Sequence, residues 1–359
     1  MKEVNNTILI VILLAITLVM SCSNNLNNPE ECREKDIPIL NCEAKDIPIL
    51  ACKEKDITAL RSIALNAEIP LNKLMIYDNG EIFYKRNHFE NTEYEILFNS
   101  NSDIIALRIR NTKFSNLKLL SILTELEHIN LNRNRISKIN GLNNLYKLKS
   151  LDLSENGISR IENLENLHKL KILDLSENEI SRIEGLENLH GLRVLNLMKN
   201  EISKIENLEN LYFLENLDLS INKISGIINF RGLKKLKSLF ISNNEIDIID
   251  FDGLKNIRWV VANFNNISKI KNTKILLNLG DLYMCGNPIY DIEGIENLKR
   301  LKRVSIGGNI NGYVGKDFSD REYFDDDRAD FFVEKLEKMK VEVIKSPHVL
   351  TWPDSDIFK

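Results

Sequence analysis

Proline, histidine, cysteine and tryptophan are all scarce: the 359 residues contain 7, 5, 5 and 2 of them. The cysteines form no close pairs, so no common zinc-site spacing appears, and no metal is expected. Neither sign of charge dominates. Lys and Arg number 48 against 52 Asp and Glu, a formal net charge of −4, so nothing in the charge balance suggests nucleic acid. A nucleophile elbow, a Walker loop, an H-E-x-x-H run and a glycine-rich phosphate cradle are all missing. The expectation is therefore a chain that is not an enzyme and holds no cofactor.

What is present begins at the N-terminus. Lys2 is followed by an apolar run from Ile8 to Met20, broken only by Thr17, which is short for a membrane span and suited to the core of a signal peptide. Val19-Met20-Ser21-Cys22 then resembles the lipobox of bacterial lipoproteins, in which a small residue precedes a cysteine that is lipidated and becomes the new N-terminus. The resemblance implies a signal peptide over 1–21, lipidation at Cys22 and membrane attachment through that lipid. Glu3, which cancels the charge of Lys2, and Met20 depart from the usual pattern. A plain secretory signal or an uncleaved anchor helix are the alternatives, and each leading reading exports the chain, with an outer-membrane or cell-surface location expected.

Residues 22–55 read as a tether. Within it "CREKDIPIL", "CEAKDIPIL" and "CKEKDITAL" recur every ten residues from Cys32, Cys42 and Cys52. Disulfides among these and Cys285, or free thiols, are both open. Residues 56–100 read as an N-terminal cap: a helix with Asp56 as N-cap and Leu60, Ile63 and Leu65 as its apolar face, a hairpin turn at Asp78-Asn79-Gly80, and a strand at "YEILF".

From 101 to 310 each unit approximates L-x-x-L-x-x-L-x-L-x-x-N-x-I-x-x-I. The asparagine position falls at Thr112, Asn134, Asn156, Asn178, Asn200, Asn222, Asn244, Asn265, Asn287 and Asn309. Every step is 22 residues except Asn244 to Asn265, which is 21. In "LKILDLSEN", Leu173 and Leu175 point to one side of a strand, while Leu167, Leu170, Ile180 and Ile183 come round the turn to meet them. One turn cannot bury these groups alone, so the turns must stack, with parallel strands about 4.8 Å apart. The asparagine sits where the chain leaves the strand; its amide both donates and accepts, so it can satisfy buried backbone groups of neighbouring turns.

This pattern resembles the leucine-rich repeat family, in particular the 22-residue class shared by the protein-phosphatase-1 regulatory subunit and the internalin-type bacterial surface proteins. The resemblance implies an α/β leucine-rich repeat solenoid, a horseshoe with a parallel concave sheet. Residues 311–359 then read as a C-terminal cap: a helix over "DDDRADFFVEKLEKMK" with Phe331, Phe332, Leu336 and Met339 inward, followed by a strand at "VEVI".

The concave-face positions differ between copies. Where earlier units carry Asp152, Asp174 and Asp218, later ones carry Phe240, Val261 and Tyr283; two residues before that position stand Ile172, Val194 and Trp259, and two after it Met198 and Cys285. The aspartates read as a solvated face, and His168 and His190 as solvated side chains on the outer part of the turn. An exposed apolar cluster on polar strands suits a protein interface. The expected partner site is thus centred on Phe240, Trp259, Val261 and Tyr283, with Met198, Val194 and Ile172 beside it. The alternative is that the 21-residue unit shifts the register and tucks Trp259 inward, or that the C-terminal cap covers these side chains.

Two functions follow from these readings. One is a lipid-anchored surface protein that binds another protein through its concave face, in adhesion or host interaction. The other is a structural or regulatory envelope protein that holds an endogenous partner.

Overall fold

The structure is a computed structural model that describes residues 103–289 and 292–305 continuously, together with parts of 59–67, and with 75–78, 94–99 and 334–343. The signal and tether readings, the Asp56 cap, the Asp78-Asn79-Gly80 turn, Leu65, Phe331, Phe332 and Asn309 lie outside the described residues.

Thirteen strands form one sheet. In chain order they are β1 (Met75–Asp78), β2 (Tyr94–Phe98), β3 (Ile104–Ile109), β4 (His128–Asn130), β5 (Ser150–Asp152), β6 (Ile172–Asp174), β7 (Val194–Asn196), β8 (Asn216–Asp218), β10 (Ser238–Phe240), β12 (Trp259–Val261), β14 (Asp281–Tyr283), β15 (Arg303–Ser305) and β16 (Glu342–Val343). Each is parallel to its neighbours except β2, which runs antiparallel to β3. The register steps by one repeat: Leu151 pairs with Leu173, and Leu173 with Leu195.

The chain returns to each next strand through tight turns and short 3-10 segments, such as Leu117–Leu120 and Thr273–Ile275. Little α-helix is needed, because a 22-residue unit leaves few residues for the return. Leucines and isoleucines from every side of the turn fill one continuous core; Leu167, Leu170, Leu173, Leu175, Ile180 and Ile183 are all fully buried. Adjoining the first repeats, residues 59–60, 62–63 and 66–67 are helical; Ile63 of the expected face is buried there, together with Ala59 and Ala67. Leu60 packs at its edge. Ala59, Ile63 and Ala67 stand at i, i+4 and i+8, on one helix face, and join the core of the stack. At the other end Leu336 is buried in the same core, and Met339 is packed against it.

The asparagines close the turns. Asn178 Nδ2 donates to the carbonyls of Leu153, Leu175 and Ser176 at 3.0, 3.1 and 3.1 Å, and its Oδ1 accepts from the Ile158 amide at 3.0 Å. Asn134, Asn156, Asn200, Asn222, Asn244, Asn265 and Asn287 repeat the threefold donation in their own turns. The residue just before each of them is left-handed: Arg133, Glu155, Glu177, Lys199, Ile221, Asn243, Phe264 and Gly286 all have φ between 53° and 70°. Only Gly286 is a glycine there, and a Cβ on it would meet the Phe264 ring at 2.6 Å.

The 21-residue unit leaves the concave register intact. Phe240 pairs with Val261 and Val261 with Tyr283, in line with every other turn. The shortfall is taken up on the opposite side, where β9 (Ser225–Asn229), β11 (Glu245–Asp250) and β13 (Lys269–Lys271) form a separate parallel sheet with an irregularity between Ile246 and Ile248. Trp259 therefore does not tuck inward; its neighbour Val260 does, fully buried.

Candidate functional site

Side chains at alternate strand positions face away from the core, so the outer face is a set of columns one residue wide. Two columns define its C-terminal end. The first runs Ser238, Trp259, Asp281, Arg303, Glu342, and the second Phe240, Val261, Tyr283, Ser305.

Phe240, Val261 and Tyr283 form a hydrophobic cluster separate from the main core, with Trp259 packed against it. The three expose only 3, 3 and 2 % of their surface, which corrects the expectation of an exposed patch. Strands about 4.8 Å apart press such side chains together, and Trp259 adds to their cover by stacking on Tyr283, centroids 6.0 Å apart and planes 30° apart. Burial raises the Tyr283 hydroxyl above its ordinary range.

Trp259 itself is half-buried. The Arg303 guanidinium lies 5.5 Å from its ring centroid, a distance suited to cation–π attraction. Arg303 is ion-paired in turn with Asp281, which raises the Arg303 pKa and fixes the guanidinium over the ring. The indole Nε1 is buried and has no hydrogen-bond partner among the described residues. The rim of the cluster is thus an aromatic face and a held cation side by side, with the unpaired indole N–H buried beneath them. Cys285 lies next to it, buried and free, with its thiol bonded to Ser305 Oγ; burial pushes its pKa up, so it is a poor nucleophile.

The structure does not unite all seven expected site residues. Ile172 and Val194 are neighbours in the first column but are separated from Trp259 by Asn216 and Ser238. Val194 is buried, while Ile172 and Met198 are half-buried, with Met198 two residues beyond the second column's Asn196.

The aspartate column is not the solvated face expected. Asp174 and Asp218 are buried, at 9 and 3 % exposure, and Asp152 is half-buried. Short side chains within a dense ladder are shielded by their neighbours. Ser176 bonds Asp174 through both its amide and its hydroxyl, and Ser220 bonds Asp218 through its amide.

A surface feature absent from the expected site appears along another column. Tyr146, His168, His190 and Tyr212 are exposed one repeat apart, with Phe213 beside the last, and His190 stacks on Tyr212 at 5.7 Å. The two histidines are indeed exposed. The signal for the tyrosines was their position one repeat before His168 and one repeat after His190. Among the described residues no group of three or more His, Cys, Asp or Glu side chains could hold a metal ion.

Comparison with known proteins follows the same lines. The family models described as "Leucine Rich repeats (2 copies)" and "Leucine rich repeat" match residues 146–188 and 168–211, and residues 213–267, respectively. No curated protein matches. Among solved structures, the functional domain of InlJ from Listeria monocytogenes, which includes a cysteine ladder, is 19% identical over 57% of this chain and 49% of its own, with a TM-score of 0.45. This chain therefore spans about half of that domain. A leucine-rich repeat protein of Leptospira interrogans is 21% identical over 67% of this chain and 72% of its own, TM-score 0.48. An internalin of Listeria monocytogenes, InlF, is 27% identical over 58% and 78%, TM-score 0.37. The repeat period, the asparagine ladder and the matched models agree: the stacked units of this chain are leucine-rich repeats.

Proposed function

We propose that this chain is an exported, lipid-anchored protein of the bacterial outer membrane or cell surface that binds another protein through the C-terminal end of its concave face. The observation that carries the binding site is the rim around Trp259: a half-buried indole, stacked on Tyr283 and held under the Arg303 guanidinium. Tryptophan, tyrosine and arginine are the residues on which protein interfaces most often concentrate their binding energy. Phe240 and Val261 serve as the rigid floor under that rim, and the ligand reaches Trp259 and Arg303 rather than the buried trio. Ile172 and Met198, further along the face, are secondary contacts.

The anchoring part of the proposal rests on the sequence from Ile8 to Cys22. No helix among the described residues is long and apolar enough to cross a membrane. Attachment is assigned to the lipid on Cys22 from the run Val19-Met20-Ser21-Cys22 alone. Adhesion is the role that unites export, tether and binding face; an envelope scaffold for an endogenous partner would use the same rim. Protease shaving of intact cells, paired with binding of the purified chain to whole cells and to extracellular-matrix proteins, tests the proposal. Removal by protease and saturable binding are expected; full protection of the chain would contradict surface display.

A further inference from the structure

The turns that lead into the strands stack into a flank beside the concave face. Four residues before each strand from β5 to β15, one position is held in chain order by Tyr146, His168, His190, Tyr212, Lys234, Lys255, Leu277 and Lys299, all exposed. One line of side chains therefore changes from rings to cations along its length. Neighbouring units are tied together beneath it. Asn256 Nδ2 donates to the Lys234 carbonyl at 2.7 Å, Asn278 Nδ2 to the Lys255 carbonyl at 3.0 Å, and Arg300 to Asn278 Oδ1 at 2.7 Å. The backbones that carry the lysines are thus fixed one unit apart, about 4.8 Å for stacked strands.

The two ends of the flank treat their cations differently. Toward the N-terminus the flank supplies acids: Lys147 pairs with Glu125, Lys149 with Glu127, and Arg193 and Lys237 both with Glu215. Beyond Glu215 its acids are Asp252, which pairs with Arg231, and Glu296, which pairs with Lys335. Lys299 Nζ reaches only the Glu296 carbonyl, at 3.3 Å. Among the described residues Lys234, Lys235, Lys255, Arg258, Lys299 and Lys302 have no acidic partner, and all six are exposed. Like charges gathered this way repel one another and raise the local concentration of anions. The apolar groups on the same flank are also left in water: Tyr146, Tyr212, Phe213 and Leu277 expose 56, 50, 53 and 60 % of their surface.

We propose that this flank is a track for a linear anionic polysaccharide, whose sulfate or carboxylate groups pair with the six cations and whose sugar rings lie against His190, Tyr212 and Phe213. Charge and shape both select that occupant. Six cations spread over units β10 to β15 do not converge on one point, as a compact anion would require, but they match a polymer with an acidic group on nearly every ring. Aromatic faces continue the same line, and sugars offer flat apolar faces to them, whereas a nucleic-acid duplex keeps its bases stacked inside. The track lies beside the Trp259 rim and does not depend on protein binding there.

The test is binding of the full chain to heparin over a range of salt concentrations, for the wild type and four variants. Binding should weaken steeply as salt rises, because each ion pair releases counterions held by the polymer. The triple variant Lys234→Ser, Lys255→Ser, Lys299→Ser should lose about tenfold or more with its unfolding midpoint unchanged, since exposed side chains away from the core carry little stability. Tyr212→Ser with Phe213→Ser should also weaken binding. Trp259→Ser should bind heparin as the wild type does. The control is Lys138→Ser, Lys204→Ser, Lys269→Ser, which removes the same charge from the opposite side, where Lys269 begins β13, and should change binding little. Equal losses in the two lysine triples would overturn the proposal, as would unchanged binding in the flank triple or in the Tyr212 and Phe213 variant. Tighter binding to oligothymidylate, or to vesicles of phosphatidylglycerol and phosphatidylcholine, than to heparin would also overturn it and hand the flank to nucleic acid or to a bilayer.

Discussion

The two halves of the outer face share one backbone and differ in what stands on it. On β4 to β8 the second column is Asn130, Asp152, Asp174, Asn196 and Asp218; on β10, β12 and β14 it is Phe240, Val261 and Tyr283. Register, ladder and core are continuous across the change. The repeat therefore fixes where an outward side chain stands and leaves its chemistry free. At the polar end neighbouring residues are matched by hydrogen bonds, Asn130 donating to Asp152 and Asn196 to Asp174. At the aromatic end they are matched by packing, with one mismatch at the Trp259 N–H.

Variants at both ends, and in the ladder beneath them, can break that comparison. The largest effect belongs to the ladder they share. Asn178→Leu strips the carbonyls of Leu153, Leu175 and Ser176 and the amide of Ile158 of their partner, and should cost about 3 kcal/mol or more; denaturant unfolding measures this, and an unchanged midpoint would refute the ladder's role. Tyr283→Ala opens the closed cluster and should cost about 3 kcal/mol. The exposed Tyr146, changed to Ser, should shift stability by no more than about 0.5 kcal/mol. Equal effects for these two tyrosines would contradict the burial that separates them. A gain of about 1 kcal/mol is expected from Ile221→Gly, because a β-branched residue is strained at φ 57° and its side chain is 44 % exposed; thermal melting that fails to rise would argue against that strain.

Much of this was legible in the sequence. The period fixed the stack, and the two-residue spacing of Leu173 and Leu175 fixed which strand positions face the core. The amide chemistry of Asn178 foretold a bonding role at the turn. Accessibility was not legible, because it depends on residues one repeat away. Phe240 is covered in part by Val261, Tyr283 and Trp259, none of which is near it in sequence. The same holds for Asp174, whose proton affinity is raised by burial first and by the neighbouring Asp152 charge second, against the bonds from Ser176 and Asn196. In the N-terminal helix Ile63 was read as buried, but Ala59 and Ala67 were missed because large residues were given weight over small ones. The extra sheet of β9, β11 and β13 answers a single missing residue, and the sequence located that deletion without revealing what structure would absorb it.

Recognition, as proposed, belongs to the aromatic end of the face. The most direct measurement is binding of extracellular-matrix proteins and whole cells to the folded wild type, to Trp259→Ser and to Ile172→Ser, with folding of each verified by its unfolding midpoint. Trp259→Ser should lose binding by tenfold or more, about 1.4 kcal/mol, while Ile172→Ser should lose little. Equal binding by all three, or loss confined to Ile172→Ser, would contradict it.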